Sequence, residues 1–169
     1  WKQHNYRRAQ NKVTGDSNAL LGVLNTVSGT ANQVVGLNNT QGIIEFSSGE
    51  KNQLEGDANI VKGSQNTLTN SSKNIVAGNT NAIVNGSANI VAGDSNALNG
   101  TKNVLIGNAN SIIGDQNVAK GNENLINGGA NVIGGDKNAI LKGISNEILG
   151  GLNFVTGSHN IIAGNGSFV

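Results

Sequence analysis

Three consecutive sevens decide the fold: Gly93-Asp94-Ser95-Asn96-Ala97-Leu98-Asn99, Gly100-Thr101-Lys102-Asn103-Val104-Leu105-Ile106 and Gly107-Asn108-Ala109-Asn110-Ser111-Ile112-Ile113. The shared unit is G-x-x-N-x-Φ-x, with Φ aliphatic. Working outward in both directions, the frame covers all 169 residues in 24 units. Units are seven long except for eight at 70–77, 78–85 and 135–142 and six at 43–48 and 164–169. Position 1 is Gly in 20 of 24 units, position 4 is Asn in 21, and position 6 is Val, Ile or Leu in 20. A register kept so strictly marks one repeat array.

A seven-residue period also suits a coiled coil, which needs two apolar seam positions per heptad and helix formers between them. Here a Gly in every seven costs a helix ~1 kcal/mol each time, and Asn diverts its amide to backbone partners outside helices. The pattern therefore reads as one short strand and one tight turn per unit. Gly supplies the positive φ of the corner, and Asn70 stands in for it once. Along the strand, positions 4 and 6 face in while 5 and 7 face out. Two units close one coil, so the expected fold is an all-β parallel β-solenoid, or β-roll, of about twelve two-strand coils. The Φ column fills a thin core that only stacking can bury. The inward Asn is expected to satisfy turn backbone groups and to stack on its counterpart in the next coil.

The array forms a single domain over 1–169. Its unit with Trp1, His4 and Tyr6 reads as the start of an N-terminal cap over 1–14. A register defect spans 36–48, where Gln41 takes a core position, the next unit is short and Phe46 is expected to fill the gap. The absence of Met points to a processed product or an excised segment.

Composition narrows the function. No Cys is present, which excludes disulfides, thiolate metal sites and cysteine nucleophiles. No apolar run approaches the roughly 18 residues of a membrane span, so membrane insertion is not expected. Eleven basic against ten acidic residues leave +1, and the only two Arg are Arg7 and Arg8, which is no footprint for nucleic acid. His4 and His159 are isolated, and the five Asp (16, 57, 94, 115, 136) all follow a corner residue rather than forming an acid–base pair. Neither a G-x-S-x-G elbow nor a phosphate loop occurs. We therefore expect no catalysis, no metal and no cofactor.

The outward columns carry what remains. In alternate units from the ninth, position 5 reads Ile60, Ile75, Ile90, Val104, Val118, Val132, Glu147 and Ile161. The other face reads Thr67, Ala82, Ala97, Ser111, Leu125, Ala139, Phe154 and Phe168. An apolar stripe of that length is seldom left bare on a monomer. The first expectation is thus an extracellular or cell-surface structural or adhesive rod. It would self-associate into oligomers or filaments through Ile60, Ile75, Ile90, Val104, Val118, Val132 and Ile161, or through open end coils. N-x-Ser/Thr triplets at Asn38, Asn70, Asn85, Asn99 and Asn165 mark potential glycosylation sites.

The heptad xxNxVxG, seen in Asn25-Thr26-Val27-Ser28-Gly29 and Asn153-Phe154-Val155-Thr156-Gly157, resembles the antifreeze and ice-recrystallisation-inhibition proteins of cold-hardy grasses. That resemblance covers the whole chain and implies a β-roll with an inward Asn. It also implies ice as the partner, bound by a flat face of outward hydroxyl-bearing residues and Val. Carried over residue by residue, this gives Thr26, Thr40, Ser47, Thr67, Ser111 and Thr156. The same frame with Ser for Asn is similar to the β-roll heads of trimeric autotransporter adhesins, as in Asn103-Val104-Leu105-Ile106-Gly107. Those heads associate through apolar outer faces.

Overall fold

The structure, a computed structural model, describes residues 12–22, 26–28, 33–36 and 46–169. Among these, twenty-one short strands alternate between two all-parallel sheets, one of eleven strands and one of ten. The first strand, Lys12–Thr14, opens the eleven-stranded sheet and the last, Ile161–Ala163, closes it. At ~4.8 Å per step, ten steps make that ladder about 48 Å long. The chain is therefore a parallel β-solenoid. Among the described residues the ladders hold eleven and ten strands, where the sequence leads to about twelve coils over the whole chain.

The core is a single file of side chains from each sheet, meeting in the middle. Val61, Val76, Val91, Leu105, Ala119, Ile133 and Ile148 come from one sheet, and Leu68, Ile83, Leu98, Ile112, Ile126, Ile140 and Val155 from the other; all are buried. Each is a position-6 residue. The position-4 amides are buried beside them, sixteen among the described residues, from Asn18 to Asn153.

From Asn52 and Asn59 onward those amides form two parallel ladders, because each bonds to the Asn two units away. Asn103 donates from its backbone N–H (2.8 Å) and its Nδ2 (3.1 Å) to Asn89 Oδ1, and from Nδ2 to the Gly114 carbonyl (2.8 Å). Its own Oδ1 accepts the same pair of bonds from Asn117, at 2.8 and 3.1 Å. Both amide hydrogens and both oxygen lone pairs are thus engaged, so the amide is buried without loss.

The corners hold a feature the sequence conceals. Besides the corner Gly, the residue just before the position-4 Asn is left-handed in every described unit: seventeen non-glycine residues, from Ser17 (φ 58) to His159 (φ 63). They include Lys, Ala, Gln, Glu, Thr and Leu, residues that seldom adopt this conformation. The corner Gly has a steric duty as well. A Cβ on Gly100 (φ +142) would lie 2.0 Å from the Gly114 carbonyl oxygen.

Eight-residue units are absorbed as bulges. Their extra residues, Asn70, Asn85 and Lys142, take left-handed φ of 49, 51 and 56. Ser71, Gly86 and Gly143 follow them, so two residues replace one corner Gly rather than Asn70 alone replacing it. The pairing shifts there, as between Val84 and Ser87.

The break at 36–48 resolves differently from the sequence reading. Strand Thr26–Ser28 pairs directly with Phe46–Ser48, twenty residues on instead of fourteen (Thr26↔Phe46), so one unit is stepped over. The ladder aligns Phe46 with Thr26 and Ile60, and puts Ser47 in line with Val27 and Val61. Ser47 is fully buried. It therefore belongs to the core column, not to the outer face assigned to it, and the expected place of the Phe46 side chain lies outside what the structure describes. The phase follows the downstream corner Gly49 (φ +122), because the missing residue falls ahead of the strand. Gln41 and most of the expected cap over 1–14 lie outside the described residues.

Candidate functional site

Pairing along the eleven-stranded sheet turns position 5 into one straight file. Ile60 pairs with Ile75, Ile75 with Ile90, Ile90 with Val104, Val104 with Val118 and Val118 with Val132. Glu147 and Ile161 continue it. No register shift interrupts these steps. Ile60, Ile75, Ile90, Val118 and Val132 are each between 41% and 46% exposed, while Val104 between them is half-buried. Beside them run the shorter Ala77 and Ala92, the aliphatic Ile106 and Leu149, and the exposed Lys62 and Lys120 that mark the flank. Branching at Cβ keeps Ile and Val to few rotamers, so this face is stiff.

The ten-stranded sheet is rougher. Its file of Thr67, Ala82, Ala97, Ser111 and Leu125 mixes polar with apolar and runs from small side chains to a bulky Leu. Ala82, Ala97 and Ser111 sit low beside Val84, Asn99 and Ile113, which line a shallow groove. Another hollow opens between Gln33, Gln53, Glu55 and Thr69. Near its far end Phe154 and Phe168 stack, ring centroids 4.9 Å apart.

The hydroxyl-bearing set carried over from the resemblance is not brought together. Thr40 lies outside the described residues, and Thr26 belongs to the eleven-stranded sheet. Ser47 is buried. Thr67 and Ser111 share a file of the other sheet but stand three coils apart, and Thr156 lies in the neighbouring file.

A further ladder, missed in the sequence, runs along one corner. The Asn79 backbone N–H donates to Asp94 Oδ1 (2.7 Å), Asp94 to Asn108 Oδ1 (2.8 Å), Asn108 to Asn122 Oδ1 (2.9 Å) and Asn122 to Asp136 Oδ1 (2.7 Å). The Asp side chains, read from the sequence as merely solvated, are acceptors for the preceding coil. The only available signal was the preference for Asp and Asn at position 2. Among the described residues no group of three His, Asp or Glu is placed to hold a metal, and no helix is long and apolar enough to cross a membrane. His159 is exposed at a corner.

A family model described as the grass antifreeze beta roll matches residues 46–141, which is more than half of the chain. No curated protein matches the sequence. The matched stretch starts at the strand that follows the stepped-over unit and contains the Ile60-to-Val132 file.

Proposed function

Because the chain belongs to the grass antifreeze β-roll family, we propose that it binds ice, and that it does so through the outward face of the eleven-stranded sheet. Family and fold are of a non-enzymatic kind. An extracellular location accords with this reading.

One observation carries the choice of face: six successive coils present a β-branched aliphatic side chain in unbroken register, five of them exposed to nearly the same extent and Val104 half-buried. A crystalline solid repeats in two dimensions, so only a surface that repeats can touch it at many points together. Coils supply a step of ~4.8 Å along the rod, and positions 5 and 7 lie ~6.7 Å apart across it. Restricted rotamers lower the ordering cost of adsorption. Water over such apolar surface loses orientational freedom, which brings it closer to the ordered phase.

The same face supports a second reading, lateral pairing of two rods, since the stripe is apolar and bare. Size weighs against it. Eight rows from Ile60 to Ile161 span seven steps of ~4.8 Å, and a three-residue strand is ~10 Å wide, giving about 340 Å². A stable interface takes ~800 Å² per partner, whereas functional patches on monomers run to ~300–600 Å².

The test is the double variant Ile90→Lys/Val118→Lys beside a control on the rougher sheet, Ala97→Lys/Leu125→Lys. The first should need at least ten times more protein to inhibit ice recrystallisation, with unchanged circular dichroism and melting; the control should stay within twofold of the parent. Loss of activity in the control alone would overturn the face assignment. A parent chain inert on ice would overturn the function. Sedimentation showing oligomers that Ile90→Lys/Val118→Lys dissolves would favour pairing.

A further inference from the structure

Ladder asparagines cannot head an N-x-Ser/Thr triplet, because the residue two places on is the buried aliphatic, as in Asn96 and Leu98. Such triplets are confined to the asparagines that the fold leaves outside. Within the described residues these are Asn70, Asn85, Asn99 and Asn165, and all four are exposed.

Three of them occupy successive coils on one edge. Thr69 pairs with Val84 and Val84 with Asn99, while Asn70 and Asn85 follow Thr69 and Val84 in left-handed bulges. Asn70 and Asn85 are therefore equivalent, and Asn99 stands one register place earlier. Asn70 Nδ2 lies 3.4 Å from Asn85 Oδ1. The hydroxyl residues that complete the triplets line up too: Ser72 pairs with Ser87 and Ser87 with Thr101. This edge is where the ten-stranded sheet turns toward the eleven-stranded one.

We infer that Asn70, Asn85 and Asn99 form a row of N-glycosylation sites along this edge, dressing the rougher side of the rod and leaving the Ile60-to-Val132 face bare. The donor class is a lipid-pyrophosphate-linked oligosaccharide. The Asn amide nitrogen bonds to the anomeric carbon of the first sugar, the bond from that carbon to the pyrophosphate oxygen breaks, the lipid pyrophosphate leaves, and the amide gives up one proton. The modified Nδ2 keeps its other hydrogen. Coils ~4.8 Å apart crowd neighbouring sugars, which sets the expectation at two or three glycans on the row. The modification stands apart from the ice-binding reading; only the benefit of keeping that face bare rests on it.

The full chain, fused to a cleavable secretion signal and translated with microsomes, reports the glycan number as gel steps that an amidase specific for N-glycans removes. Signal-cleaved chains should carry two or three glycans on the row, with Ser72→Ala, Ser87→Ala and Thr101→Ala reducing the count. Cleaved chains with no glycan, or with glycans only at Asn38 or Asn165, would overturn the inference. Glycosylated and deglycosylated protein should inhibit ice recrystallisation equally within twofold. A loss on glycosylation would refute the choice of face while leaving the modification standing.

Discussion

Replacing Asn103 by Ala tests what the buried amide ladder is worth. The change removes two donors and one doubly used acceptor. Asn117 then loses the partner of its backbone N–H, formerly at 2.8 Å, and of one Nδ2 hydrogen, while the Gly114 carbonyl loses its 2.8 Å bond to Nδ2. Asn89 Oδ1 keeps the Asn103 backbone N–H as donor. A buried polar group left unpaired costs ~1–3 kcal/mol, and two or three such groups, partly relieved by relaxation, bring the expected loss to roughly 3–5 kcal/mol. Entire domains are stable by only ~5–15 kcal/mol. Because each coil touches only its neighbours, the damage should be local. Urea denaturation followed by circular dichroism gives the loss, and native-state hydrogen exchange should show the Asn117 amide opening first. Asn127→Ala, at an exposed site on the ten-stranded sheet, should stay within ~0.5 kcal/mol of the parent. An Asn103→Ala chain less than ~1 kcal/mol weaker would refute the claim that the ladder bonds hold the coils together.

Gly100→Ala meets both a φ of +142 and the Gly114 carbonyl oxygen 2.0 Å from the new Cβ; strain of this kind costs ~1–3 kcal/mol before the clash is added, and a melting curve should fall well below that of the parent. Glu123→Gln removes the ion pair with Lys137, whose 3.9 Å separation and exposed side chains predict a change under ~1 kcal/mol in the same urea titration, at low and high salt alike.

The columns that repeat in residue type were legible in the sequence. Asn at position 4 and the aliphatic at position 6 each serve one environment in every coil, so composition at those positions is constrained and the period shows. From Ile60 to Val132 the two faces separated for the same reason, one file holding only Ile and Val while the other is mostly Thr, Ala and Ser. Position 3 was illegible because its requirement is on the backbone. Lys102, Ala109, Gln116 and Glu123 all adopt φ of 56 to 60, and nothing in their chemistry shares a signal. The Asp94–Asn108–Asn122 ladder was hidden because a position-2 side chain bonds to another coil, which a one-dimensional reading has no means to align. Ser47 was misplaced by counting forward through a short unit whose gap lies ahead of its strand; counting back from Gly49 recovers the core position. The hydroxyl-bearing set scattered because it was assembled by residue type across both sheets.

The two-unit coil gives this rod a reading frame. Inserting or deleting seven residues would send every later strand to the opposite sheet, exchanging the smooth face for the rough one from that point on. Fourteen residues, by contrast, restore the phase and merely change the length. The chain already contains a frame-preserving exception: between Thr26 and Phe46 the ladder advances one step over twenty residues, so the excess is carried outside the count. Growth by whole coils therefore lengthens the smooth face without redesigning it. Growth by half coils is mutationally just as short and would divide one face into two.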